Sequence, residues 1–158
     1  MRLVVSSDAM VIPEGAGWSE NRREDVEDVE QALAGAGYEL DENKLEALAS
    51  LRGISVRLPT PQTMYAHFLN EDPFIVDPLG VGLRNITEAR DLEGRLGFEF
   101  CPLGWWLCRS HVYFSTEGLT VAVLPGVIWR LGDTLDEAIE FMLLANAPLD
   151  RIESSDGL

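Results

Sequence analysis

The second half of the chain carries several strand-like runs in close succession, and this arrangement constrains the fold more than any other feature. The runs are Phe98–Phe100, Trp105–Leu107, Val112–Phe114, Leu119–Leu124 and Val127–Leu131. Only turn residues separate them, whereas neighbouring parallel strands need a crossover of about a dozen residues or more. Ser115–Gly118 has the composition of a hairpin turn, in which Gly118 would take a positive φ. The pattern therefore predicts an antiparallel meander.

Two amphipathic helices are predicted ahead of this region. Ser19 is a good N-cap for the first helix, which has an acidic first turn and ends at Gly35 or Gly37. Asp41 caps the second helix, which ends at Gly53. The apolar stripes are Val26, Val29 and Leu33 in the first helix and Leu45, Leu48 and Leu51 in the second.

Further elements are predicted between these helices and the meander, and after it. Short strands are expected at Ser55–Leu58 and Phe74–Val76. A third helix begins at Asn85 or Thr87, with Glu88 completing a capping box. The last helix opens with a second capping box, Thr134–Glu137, and Pro148 stops it.

Strands and helices do not alternate along the chain, so a doubly wound parallel sheet is disfavoured. The order predicts an α+β fold, a twisted and mostly antiparallel sheet with its flanking helices on one side. No repeat or linker divides the sequence, so residues 1–158 are predicted to form a single domain. Residues 1–17 are expected to be an arm with a strand at Leu3–Val5 followed by a loop, and residues 149–158 a frayed tail.

The chain is strongly acidic, with 12 Lys and Arg residues against 27 Asp and Glu residues and a formal net charge of -15 at pH 7. Such a surface repels phosphates and anionic lipids, so neither nucleic acid nor a membrane is expected as a direct partner. Two interpretations stay open, acidity that serves only solubility or an electrostatic match to a basic protein. The sequence lacks a membrane-spanning run and a signal peptide, so we expect a cytoplasmic protein.

Residues with catalytic or metal-binding potential are sparse. His67 and His111 lie in different segments, and the sequence contains no HExxH or GxSxG motif. Gly80–Gly82 is interpreted as a turn rather than a phosphate loop. Cys101 and Cys108 are expected to be small buried hydrophobic residues rather than a bridge. We therefore expect no catalytic residues, no metal and no cofactor.

Aromatic and acidic side chains are the candidates for partner binding. The adjacent Trp105 and Trp106 face opposite sides of a strand, so one can fill the core. The other must be exposed, covered by another element, or used at an interface, where Trp is enriched among the residues that dominate affinity. The acidic candidates are expected on one face of the first helix: Glu20, Glu24, Asp25, Glu27, Asp28 and Glu30.

Turn, cap and core motifs recur along most of the chain. They are Leu96-Gly97, Pro102-Leu103-Gly104, His111–Gly118 and Gly132–Ile139, preceded by Trp18, Arg22/Arg23, Leu51, Gly53 and Asp77-Pro78. Together, over roughly residues 18–145, they resemble the SUKH superfamily of bacterial immunity proteins, and its third immunity subgroup most closely. One departure is that Val112-Tyr113 precedes the hairpin glycine Gly118, whereas the family pattern has the reverse order.

The resemblance implies an α+β fold and a non-catalytic function, the binding and neutralisation of a cognate polymorphic toxin. It also implies that the toxin is often a nuclease. A nuclease site is basic because it attracts phosphates, so an acidic protein can block it by charge complementarity. A second function stays open, a regulatory or scaffold module that binds endogenous cellular proteins; an adjacent toxin gene would favour immunity.

Overall fold

The computed structural model describes residues 1–57 and 73–152. The helices in these residues are α1 (Ser7–Gly15), α2 (Glu27–Ala36), α3 (Glu42–Leu51), α4 (Pro78–Gly82), α5 (Ile86–Leu96) and α6 (Leu135–Leu144). The strands are β1 (Ser55–Val56), β2 (Phe74–Val76), β3 (Cys101–Trp106), β4 (Ser110–Phe114), β5 (Thr120–Leu124), β6 (Val127–Gly132) and β7 (Asp150–Arg151). Among the described helices, none has the length and hydropathy needed to cross a membrane.

The strands form one antiparallel sheet whose spatial order, β1 to β7, is the order in the sequence. The connections from β3 through β6 span residues 107–109, 115–119 and 125–126. Connections of this length permit hairpins only, so consecutive strands must pair with each other. The predicted α+β class and the antiparallel meander are confirmed. The departure around Gly118 leaves the meander intact, since Phe114 still pairs with Thr120 across the turn.

Helices cover both faces of the sheet, whereas the sequence predicted helices on one side. Trp106 lies opposite Ser110, so strand alternation places Tyr113 on the other face. On the first face the Trp106 ring packs against Phe141 of α6, with ring centroids 5.9 Å apart. On the second, the Tyr113 hydroxyl donates to Glu88 of α5 at 2.8 Å. Consecutive residues of β4 are buried, and only a helical layer on each side can achieve this.

The first 26 residues differ from the prediction. Residues 7–15 form a helix rather than a strand and loop, because the Ser6 hydroxyl accepts from Ala9 N and caps a first turn. Ser19 does not cap α2, which begins eight residues later at Glu27. The intervening segment is instead fixed by contacts with α3, since Trp18 Nε1 donates to Ser50 Oγ at 3.1 Å. Gly37, with φ of 110°, ends α2 as predicted.

Four further expectations about local structure are wrong. Phe98–Phe100 forms no strand, because Phe100 N donates to Glu93 of α5. Gly118 lacks a positive φ; a Cβ there would lie 3.1 Å from the Phe98 ring, so close packing explains the glycine. Gly80–Gly82 belongs to α4 instead of a turn. Glu88 completes no capping box and instead binds side chains of the sheet.

Most remaining elements agree with the sequence prediction. Asp41 caps α3 by accepting from Lys44 N at 2.8 Å, and Thr134 caps α6 by accepting from Glu137 N at 3.2 Å. The strands at Phe74–Val76 and at the start of Ser55–Leu58 are present, and Leu58 lies outside the described residues. In the tail that was expected to fray, Asp150–Arg151 pairs with β6.

Candidate partner-binding surface

The acidic residues predicted to share one helix face are divided between two conformations. Glu20, Glu24 and Asp25 precede α2, and only Glu27, Asp28 and Glu30 lie on it. All six side chains are exposed. The single helical face is therefore wrong, but the six exposed acids all lie within one short part of the chain, residues 20–30, which we call the acidic segment.

Two arginines attach the acidic segment to the C-terminal end of α3. The Arg22 guanidinium donates to Ser50 O at 2.7 Å and to Arg52 O at 2.6 Å. Carbonyls at a helix C-terminus have no partner within the helix, so a guanidinium there satisfies them and complements the helix dipole. Arg52 in turn donates to the Asp25 carbonyl at 2.7 Å.

Part of the charge of the acidic segment is neutralised by these arginines. Arg52 forms a two-bond pair with the Asp28 carboxylate, at 2.6 and 2.7 Å. This hydrogen bonding holds the pKa of Asp28 below its usual value. Arg22 Nη2 lies 3.4 Å from Glu24 Oε1. Glu20, Asp25, Glu27 and Glu30, whose carboxylates do not pair with these two arginines, are therefore the members of the segment best able to meet a cationic partner.

The two adjacent tryptophans have different environments, as strand alternation predicted. Trp106 is fully buried on the α6 face, so it cannot contact a partner. Trp105 is half-buried on the opposite face, and its Nε1 lies 3.4 Å from Asp77 Oδ2. The Arg109 guanidinium lies over the Trp105 ring at 5.4 Å from its centroid, a cation–π contact. Of the two candidates, only Trp105 can serve an interface.

Trp105 belongs to a line of half-buried residues that crosses five strands. Direct cross-strand pairing joins its members one to the next, from β2 to β6. They are Ile75, Trp105, His111, Val123 and Ile128, and each is half-buried. Directly paired residues project from the same face of a sheet. We call this line the cross-strand row.

The helical layer ends beside the cross-strand row. Tyr113 and Val121, two residues along the same strands, pair with each other and are fully buried. Glu88 marks the boundary, since one carboxylate oxygen accepts from Tyr113 at 2.8 Å and lies 2.6 Å from His111 Nδ1. Burial and the bond to this carboxylate raise the pKa of Tyr113.

Arg52, which pairs with Asp28 of the acidic segment, shares a depression of about 280 Å³ with Ile75 of the cross-strand row. Arg52, Ile75 and Asp77 line it, together with neighbouring residues of β2 and α4. Among the lining residues, Arg52 forms an ion pair with Asp28, and Asp77 contacts Trp105. The fold thus brings two groups of sequence-predicted residues onto one surface.

Several contributors to this surface were missed at the level of sequence. Ile75, Val123 and Ile128 carry no sequence signal beyond that of ordinary strand residues, and their alignment depends on the register of four strand pairs. Arg52 was overlooked because its partners are 24 and 27 residues away. The sequence identified the pair Trp105 and Trp106 as interface candidates, because adjacent strand residues face opposite sides, but it did not determine which of the two is available.

The histidines and cysteines are the other side chains with catalytic or metal-binding potential. His111 is half-buried beside Glu88 as noted, and His67 lies outside the described residues. Cys101 is buried as expected and burial raises the pKa of its thiol, whereas Cys108 is exposed, contrary to expectation. Within residues 1–57 and 73–152, no group of three or more His, Cys, Asp or Glu side chains is placed to hold a metal ion.

Comparison with known proteins gives one match. Neither the curated proteins nor the solved structures contain a significant match to this chain. A family model described as SUKH-3 immunity protein matches residues 11–145, which is most of the chain. The chain therefore belongs to the SUKH-3 immunity protein family.

Proposed function

We propose that this chain is a non-catalytic immunity protein that binds and neutralises a cognate polymorphic toxin in the cytoplasm. Its membership of the SUKH-3 immunity protein family carries the proposal. The net charge of -15 supports a cationic partner. A nuclease domain fits this requirement, because its substrate-binding surface must attract phosphates.

The contact residues we propose are the acidic segment and Trp105. Acidic side chains accelerate encounter with a cationic domain, whereas an apolar ring removed from water at the contact centre slows dissociation. This division of roles is supported by the exposure of the six acids and by the half-buried position of Trp105 on the adjoining sheet face.

Co-expression with the toxin gene next to the gene for this chain tests the function. We expect growth to be rescued and the two proteins to co-purify. A variant in which Trp106 is unchanged and Trp105 is replaced by serine should rescue growth less well. Failure of the wild-type protein to rescue growth against any adjacent toxin would remove the immunity function and favour a regulatory or scaffold role.

Charge reversal tests the steering role of the acidic segment. The variant combines Glu20→Lys, Glu27→Lys and Glu30→Lys, which leaves both arginine-bound carboxylates in place. We expect slower association with the toxin domain and a weaker dependence of the association rate on salt. The matched control makes the same charge change on exposed residues of other elements: Glu14→Lys, Glu42→Lys and Glu117→Lys. Equal kinetics in the two triple variants would contradict steering by this segment.

A further inference from the structure

The cross-strand row is unusual because it is mostly apolar and lies on a strongly acidic protein. Four of its five members, all except His111, are hydrophobic. At a strand spacing of about 4.8 Å the row is roughly 19 Å long. A stable protein interface covers about 800 Å² on each partner, so the row has the length of an interface centre rather than of a whole interface.

Polar groups frame the row on both sides, as they frame the apolar centre of an interface. Asp77 and Arg109 contact the Trp105 ring, and Glu88 binds His111. These contacts fix the two aromatic rings, whose centroids lie 5.0 Å apart in an edge-to-face arrangement. Rings that are already fixed lose little conformational entropy on binding, which favours affinity.

Beyond His111, the row continues into a groove of about 480 Å³ between α5 and the β5–β6 hairpin. Val123 and Ile128 form part of its apolar floor, and Leu92 of α5 contributes to its wall. Glu88 and Asp91 lie on the α5 side. Arg95, which pairs with Asp91 at 2.9 Å, and Arg151 also line the groove. These charges balance, so the groove can receive an apolar side chain.

Charge identifies the kind of occupant. A second copy of this chain would bring two surfaces of net charge -15 together, and like-charge juxtaposition disfavours association. A cationic domain is attracted instead, and Arg52, which pairs with Asp28 of the acidic segment, shares a depression with Ile75 of the row. The acidic segment would then serve as one rim of the same interface.

We propose that the cross-strand row is the docking centre for a cationic protein domain, which places an apolar projection over Trp105 and into the groove between α5 and the β5–β6 hairpin. This inference rests on the proposed immunity function, in which the cationic domain is the toxin. It assigns the contact to the sheet face at the margin of the helical layer, with Trp105, His111 and Val123 at its centre.

Two substitutions of the same type test the proposal. Val123→Lys places a charge in the middle of the row. Val11→Lys makes the same change at a side chain that is 68% exposed on α1, a helix that packs with α6 against the other side of the sheet. Both variants raise the net charge equally, so long-range electrostatics cancels in the comparison.

Binding to the purified toxin domain encoded by the adjacent gene is measured by calorimetry. We expect Val123→Lys to raise the Kd by about 10-fold or more, and Val11→Lys to change the Kd by less than about 2-fold. If wild type binds and the two variants bind equally well, the docking centre is wrong while the immunity function stands. If the wild-type protein does not bind the toxin domain, both the docking centre and the immunity function are wrong.

A measurement on the wild-type protein keeps the test independent of how well Val123→Lys folds. Hydroxyl-radical footprinting reports the solvent exposure of each tryptophan with and without the toxin domain. We expect oxidation of Trp105 to fall in the complex while buried Trp106 remains unreactive in both states. Unchanged oxidation of Trp105 would overturn the proposal, as would light scattering that shows a dimer of this chain dissociated by Val123→Lys.

Discussion

Replacing Gly104 with alanine should destabilise the protein strongly, because the glycine lies where β2 and β3 approach most closely. A Cβ at this position would lie 1.8 Å from Ile75 O and 2.9 Å from Asp77 N. Both are backbone atoms, so no side-chain rotation can relieve the overlap. The two strands would have to separate by roughly 1.2 Å or more before this contact reached 3.0 Å, below which Cβ contacts are essentially never found.

The loss of stability follows from the backbone hydrogen bond that this separation of the strands breaks. Asp77 N donates to Leu103 O at 2.9 Å directly beside the glycine, and an increase of about 1 Å moves this pair out of hydrogen-bonding range. An unsatisfied buried backbone pair costs about 1–3 kcal/mol, and overpacking typically adds about 1–3 kcal/mol. We therefore expect Gly104→Ala to lower the free energy of unfolding by roughly 2–6 kcal/mol, a large part of the total for a domain of this size.

Gly94→Ala is the matched control. Gly94 lies inside α5, and a Cβ there would meet no atom within 4 Å. Alanine is favoured over glycine in a helix interior by about 1 kcal/mol, so this variant should be more stable than wild type. The free energy of unfolding of each variant is measured by urea denaturation, with circular dichroism as the signal. Similar free energies of unfolding for the two variants, or a stable Gly104→Ala protein, would refute the reasoning.

Three further predictions concern single side chains. Arg22→Met should lower the free energy of unfolding by roughly 1.5–3 kcal/mol in urea denaturation, because the carbonyls of Ser50 and Arg52 at the end of α3 lose a charged donor. The matched change at exposed Arg23, Arg23→Met, should lower it by no more than about 0.5 kcal/mol. Burial raises the pKa of Tyr38 to about 12 from 10.0, so its contribution to stability is complete below pH 10 and is lost as the pH rises to about 12. The stability advantage of wild type over Tyr38→Phe should therefore shrink across that interval in alkaline urea titrations. The pKa of Asp28 is lowered from 3.8, so its contribution is present above that pH and lost below it. Urea midpoints of wild type and Asp28→Asn should accordingly converge as the pH falls below 3.8.

The folded elements that the sequence predicted are those governed by neighbours along the chain. Asp41 and Thr134 cap their helices through atoms three residues away, and short connections force the strands after residue 100 to pair in order. The predicted start of α2 was wrong because Trp18 and Arg22 form hydrogen bonds with residues about 30 positions later in the chain. No local pattern contains that information.

The sequence by itself determined an acidic α+β chain with an antiparallel meander, the motifs of an immunity family, and one tryptophan of an adjacent pair outside the core. Tertiary structure alone decided that this tryptophan is Trp105, that it stands in line with Ile75 and Val123, and that Arg52 links the acidic segment to the depression beside Ile75. Alternation along a strand is a local property, so it is readable from sequence. Which face is covered, and which residues align across strands, depends on register and on packing between elements far apart in the chain.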